Sequence, residues 1–159
     1  MLIIAGATYW ASLGTTPSDG GLTGRLTVPV NATDWARGAT SSKVTIVEYS
    51  DFECPACAAY EGIVKQLATD NKNGVKLVYR HFPLQQHRSA ELSARYAEAA
   101  GRQGKFWEMH DILFEYQKDW TVNTVAKNES VFMMFANRIG LDLNQLASDL
   151  KDLTLKAKV

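Results

Sequence analysis

Cysteine is scarce in this chain: 159 residues hold two, Cys54 and Cys57. Proline is scarcer than its four copies suggest, because none follows Pro83. Net charge is absent, seventeen Lys and Arg being matched by seventeen Asp and Glu, and no basic run interrupts that balance. No apolar stretch reaches the roughly 20 residues that a membrane-crossing helix needs. Together these absences exclude a disulfide-knit miniprotein, collagen, a coiled coil and a polytopic membrane protein. They also argue against a nucleic-acid partner, which would leave a basic footprint. What remains is an ordinary globular composition, 46% hydrophobic and 21% charged, long enough for one domain with a real core.

The first charged residue is Asp19 and the first basic one Arg25. Leu2 to Leu13 is apolar apart from two hydroxyls and the Tyr9 ring, and as a helix it would span only about 18 Å. It lacks the basic start of a secretory signal, so it reads as the remnant of a signal or membrane anchor, residues 1–13. Gly14 to Gly24 has four glycines, Pro17 and several hydroxyl residues, the composition of a linker. The folded domain is expected over 25–159.

Lys43 to Tyr49 is rich in β-branched and aromatic residues and reads as a buried strand. Cys54 then falls at a helix N-cap position and Pro55 at the first helical position, where its missing N–H costs nothing. The helix predicted from there runs to about Asp70, with Ala58, Ala59, Ile63, Val64 and Leu67 on its apolar face. Asn71 to Gly74 is a turn and Val75 to Arg80 a second strand, completing a right-handed βαβ unit over about 43–80. A third strand is expected around Leu26 to Val30. After Pro83 the pattern becomes helical, over about 88–152: Ser89 to Gly101, Lys105 to Gln117, Glu129 to Arg138, and Leu143 to about Asp152. Gly140 is the expected C′ residue of the third helix, and Asp142 with Gln145 resembles a capping box opening the fourth.

Cys54-Pro55-Ala56-Cys57 carries the chemistry. The thiolate is the reactive form of cysteine, and a helix N-terminus, with its unpaired N–H groups and positive dipole end, favours negative charge. Cys54 at the cap can attack a disulfide; Cys57, one turn in and on the same side, can resolve the mixed disulfide that forms. A purely structural bridge across so short a loop would contribute only about 2 kcal/mol on the chain-entropy formula. Half of a zinc site is the other alternative, completed from His81, His87 and His110, but no second Cys-x-x-Cys exists. Glu48 lies in the strand six residues before Cys54. A carboxylate in a buried strand is costly unless it is paired or exchanges protons, so Glu48 is a candidate proton acceptor for Cys57.

Val44 to Cys57 closely resembles the active-site segment of DsbA-like thiol–disulfide oxidoreductases of the thioredoxin superfamily. Val78-Tyr79-Arg80-His81-Phe82-Pro83-Leu84, Ala97 to Ala100 and Gln103 to Asp111 resemble further segments of the same family. The resemblance covers about 34–152 and is far more specific than the cysteine spacing alone. It implies an α/β thioredoxin-like fold with a helical insertion and an extracytoplasmic location; the apolar residues 1–13, outside the resemblance, would add a membrane tether at the N-terminus. It also implies dithiol–disulfide exchange with cysteine-containing protein substrates and a redox partner protein, a membrane oxidase or reductase. Cys54 would be the attacking cysteine, Cys57 the resolving one and Glu48 the buried acid, with Phe52, Pro55 and Ala56 as the supporting segment. The redox-active disulfide is the only cofactor implied.

Two departures qualify this. The best-known oxidant of the family has a histidine where this chain has Ala56, which leaves the direction of electron flow open among oxidase, isomerase and reductase. The family also returns after its insertion with a cis-proline loop, two strands and a helix. With no proline beyond Pro83, this chain is expected to lack that half and to have an incomplete sheet. The competing class is a non-catalytic module, thioredoxin-like and polypeptide-binding or stabilised by zinc.

Overall fold

The computed structural model describes residues 26–39, 41–71 and 73–159; the apolar segment and linker expected over 1–13 and 14–24 lie outside them. The described residues fall into two units that part after Asn31, the second running over 32–159. Within the second, β2 (Val44–Ser50) and β3 (Val75–His81) pair in parallel through the crossover helix α1 (Pro55–Asp70). A third strand, β1 (Trp35–Gly38), runs antiparallel along the other side of β3, giving the order β1-β3-β2. It is not the strand expected at 26–30, whose residues are coil, with Leu26 and Val28 exposed. Pro29 has no N–H to give a ladder. The Trp-Ala-Arg-Gly segment forms the strand instead because Trp35 and Arg37 point to one face, where a core and two carboxylates await them.

Register places Ile46, Glu48 and Ser50 beside Leu77, Tyr79 and His81 on that same inner face. The strand expected to be buried throughout is half-buried: Val44, Thr45 and Tyr49 are exposed, and Glu48 is intermediate. β2 pairs with β3 alone among the described residues, so its outer edge carries no ladder. Among the described residues the sheet is a small one of three strands, as the sequence suggested.

Helix α1 keeps the expected length but turns a different face inward. Glu61 and Ala68 are buried and Ala58 and Val64 half-buried, whereas Tyr60, Ile63 and Leu67 are 65%, 62% and 44% exposed. Periodicity misjudged the face because a glutamate stands in the buried stripe, held there by Arg37.

The helical block has six segments rather than four: α2 (Ala90–Arg102), α3 (Phe106–Glu115), α4 (Gln117–Trp120), α5 (Val125–Arg138), α6 (Leu143–Asp149) and α7 (Leu153–Lys156). The helix expected over 105–117 breaks at Tyr116 and restarts as α4. α5 begins four residues early because the Thr124 hydroxyl caps it, accepting from Lys127 N at 3.3 Å. The fourth expected helix ends three residues early, at Asp149, and a further short helix, α7, follows the expected range, capped by the Asp152 carboxylate. Asp142 caps α6 as expected, but its own N–H goes to Gln103 Oε1 at 2.8 Å, not to Gln145, so the capping box is only half made. Gly140 takes φ 74° at the end of α5.

The core lies between the sheet's inner face and this block. Trp35 stacks on Phe106 at 4.5 Å, Phe52 on Tyr79 at 5.2 Å, and Trp120 meets Phe132 edge-on at 5.0 Å. Small residues on α2 (Ala94, Ala97, Ala100) bring the helix close to these rings. Glu98 on the same helix is buried and receives Trp35 Nε1 (2.6 Å), His81 Nε2 (3.0 Å) and Lys158 Nζ (2.7 Å). Burial alone would raise its carboxyl, but His81 and Lys158 outweigh that and hold it below its ordinary value. The end of the chain is thereby tied to β1 and β3.

Candidate active site

Cys54 is the N-cap of α1, with φ −73° and ψ 118°, and Pro55 follows at the start of the helix. The Cys54 side chain makes no capping hydrogen bond. Its sulfur is therefore left available at a terminus whose first N–H groups favour an anion. Both cysteines are free thiols of intermediate exposure, and Pro55 and Ala56 between them are exposed. Burial pushes the Cys57 thiol up; the Ser50 hydroxyl and the Asp51 backbone draw it down, and the neighbouring Cys54 sulfur raises it again. The net effect holds Cys57 in its thiol form more firmly than an ordinary cysteine.

Glu48 stands on the inner face one register step from Ser50, whose hydroxyl acts on both Glu48 and Cys57. Burial raises the Glu48 carboxyl, against the lowering influence of Ser50 and the Arg37 charge. Glu48 Oε2 and Ser50 Oγ are buried without a complete hydrogen bond. Unpaired buried polar atoms are rare in folded proteins. Tyr79, opposite Glu48 in the sheet, donates to Ser50 O at 3.3 Å, and burial keeps its phenol well above its usual range.

The turn before Cys54 is held from two sides. The Asp51 carboxylate accepts from Glu53 N (2.8 Å) and Leu84 N (2.9 Å) and meets His87 Nδ1 at 2.7 Å. Glu53 accepts from Ser89 N at 2.6 Å, at the start of α2. From the helical block, Gln117 Nε2 donates to Phe52 O and Cys54 O, both at 2.8 Å. Phe52 itself is 1% exposed, wedged among Tyr79, His81, His110 and Phe114. Sequence reasoning placed Cys54, Cys57, Glu48, Phe52, Pro55 and Ala56 here, but missed Ser50, Asp51 and Gln117. A hydroxyl and a carboxylate just before the cysteines were a usable signal; nothing local pointed to Gln117, 63 residues away.

The three histidines have other partners: His81 pairs with Glu98, His87 with Asp51, and His110 with Asp111. Among the described residues, Glu61, His110 and Asp111 are the group near enough to share an ion, and neither cysteine belongs to it. Arg37 already bonds both carboxylates, and Lys65 pairs with Asp111, so an added cation would meet two positive charges. Burial raises Glu61, and burial also lowers His110. Asp111 feels the same upward pull, but His110 and Lys65 hold it well below its ordinary range. This cluster lies beside an open cleft of about 360 Å³ along α1 and α3.

A family model described as thioredoxin matches residues 30–159. Among solved structures, a thioredoxin-like oxidoreductase from Silicibacter pomeroyi is 30% identical and superposes with a TM-score of 0.67, covering 80% of this chain and 69% of that one. BdbD from Bacillus subtilis, at 24% identity and TM-score 0.66, covers 78% and 69% and shares the fold. Among curated proteins, a Na(+)/H(+) antiporter NhaA 1 of Salinispora arenicola is 42% identical over 129 residues, 80% of this chain but 19% of that protein. NhaA 1 of Mycolicibacterium gilvum is 35% identical over 119 residues, 74% of this chain and 18% of that protein. The chain thus spans about a fifth of the length of the curated relatives it matches. No described helix is long and apolar enough to cross a membrane.

Proposed function

The chain belongs to the thioredoxin family, and on that premise we propose that it exchanges disulfides with cysteine-containing proteins through Cys54 and Cys57. The observation that carries this reading is the placement of two free thiols at the N-cap and first turn of one helix. The Cys54 thiolate attacks one sulfur of a substrate disulfide, forming a mixed disulfide and expelling the substrate's other sulfur as thiolate. The Cys57 thiolate then attacks the Cys54 sulfur and releases the substrate's second thiolate. The substrate gains two electrons, and Cys54–Cys57 becomes the disulfide. Run backwards, the same steps oxidise a substrate dithiol. The potentials of the pair and of its redox partner, a membrane oxidase or reductase, set the direction. No cofactor beyond the pair is needed. An extracytoplasmic location suits this chemistry, because protein disulfides persist in oxidising compartments. The antiporter name stays with the much longer proteins that carry it.

Equilibration in glutathione buffers of graded potential tests the reading. The protein is expected to lose two hydrogens by mass in one two-electron transition. A chain that remains a dithiol, or carries only glutathione adducts, across the whole series overturns it.

Glu48 is the base for Cys57 in this scheme, acting across Ser50. Glu48→Gln is expected to slow resolution of the mixed disulfide by up to roughly a hundredfold, the low end for a positioned acid–base group. It should also flatten the pH dependence of that step. The stability effect has the opposite sign. A carboxyl raised on folding stabilises the protein below its unfolded value of 4.5 and loses that contribution as pH climbs through the folded value. Glu48→Gln should therefore melt higher than the parent at neutral pH, with the gain vanishing at acid pH. A resolution step with the parent's rate and pH profile would remove Glu48 from the mechanism.

A further inference from the structure

Gln117 opens α4, far along the chain from the cysteines, and its side chain is almost wholly buried. Both of its amide hydrogens are committed to the reactive turn, to Phe52 O and Cys54 O at 2.8 Å each. The Cys54 carbonyl is also the first acceptor of α1, taking Ala58 N at 3.2 Å, while Cys54 N closes the turn on Asp51 O at 3.1 Å. Gln117 thus grips the peptide at which the loop becomes a helix. Its own position is fixed two ways. Trp120, in the same short helix and fully buried, donates to Leu113 O at 2.9 Å, and Thr121 N closes onto Gln117 O at 3.0 Å.

A buried amide spending both donors on two carbonyls of one turn costs desolvation and side-chain entropy that a leucine would not. What it supplies is orientation. The Cys54 side chain makes no bond to the helix terminus, so the direction of its sulfur relative to the first N–H groups depends on the backbone of the turn. We propose that Gln117 is a positioning residue for Cys54, holding the Phe52–Cys54 turn so that the sulfur stays over the N-terminus of α1 and remains reactive. The helical block is thereby part of the reactive machinery rather than only a lid on the sheet. The proposal rests on the disulfide-exchange reading for its biological meaning, but its test reads Cys54 alone.

The rate of alkylation of Cys54 by iodoacetamide is measured against pH in a Cys57→Ser background, well below the melting temperature. Gln117→Met keeps the buried shape and removes both donors. It is expected to slow alkylation about tenfold at pH 7, within the range of a helix-terminus interaction, and to displace the profile toward higher pH. Gln117→Glu loses its donors when ionised and regains one when protonated, so its rate relative to Gln117 should recover toward acid pH. A Gln117→Met protein that melts lower but alkylates at the parent rate overturns the proposal, leaving the amide a structural bridge. If Gln117→Met does not fold, Gln117→Glu decides, and a ratio to the parent that is flat in pH overturns it. Glutathione equilibration of the unaltered chain separately reports whether the exchange reading holds.

Discussion

Replacing Cys57 with serine is expected to leave substrate proteins covalently attached to Cys54, because the first attack proceeds and the second has no thiolate to deliver it. The adducts should run as high-mass species on a non-reducing gel and vanish on reduction. Replacing Cys54 instead should abolish them and lower disulfide-exchange turnover by on the order of 10³-fold or more, since a hydroxyl supplies almost no anion at neutral pH. The asymmetry follows from placement. Cys54 stands at the cap and makes no capping bond, while burial pushes the Cys57 thiol up. Equal trapping by the two single variants would mean that the roles are not divided as proposed. No trapping by either would favour a module that holds polypeptides without turnover.

The second large effect concerns packing. Gly101→Ala inside a helix ordinarily stabilises by about 1 kcal/mol, because glycine is the poorer helix former. Here the added Cβ would fall 2.3 Å from Cη2 and Cζ2 of Trp35. Trp35 has nowhere to retreat: it stacks on Phe106 at 4.5 Å, its Nε1 is bonded to Glu98, and Lys158 sits over its ring at 4.1 Å. Overpacking of this kind costs roughly 1–3 kcal/mol. Gly101→Ala is expected to lower the melting temperature by about 3–10 °C for a domain of this size. A variant that melts at or above the parent would show that β1 can shift without loss.

How much of this could be read beforehand depended on sequence distance. The β-branched run ending at Tyr49, the cysteine at the cap with proline after it, and Gly140 at the end of α5 are local signals, and each element formed within a residue of where they indicated. The helix face of α1 was misread because Glu61 owes its burial to Arg37, 24 residues away. The third strand was misplaced because Trp-Ala-Arg-Gly has no strand signature; it becomes one by pairing with Leu77 and Tyr79. The break at Tyr116 fell inside a helix read as continuous from Lys105 to Gln117, and the short helix after Asp152 lay beyond the last one expected.

Local signals along the chain were enough to point to Cys54 and Cys57 as the candidate pair, to the strand and helix that carry them, and to the family to which the chain belongs. Capping, proline placement and β-branching act over a few residues and need no partner. What surrounds that pair is set by the tertiary fold: Ser50 lowering both the Glu48 carboxyl and the Cys57 thiol, Asp51 bound to the loop after β3, and Gln117 clamped on the Cys54 carbonyl. Those arrangements depend on hydrogen bonds and buried charges between segments tens of residues apart, whose energies exist only once the core has excluded water.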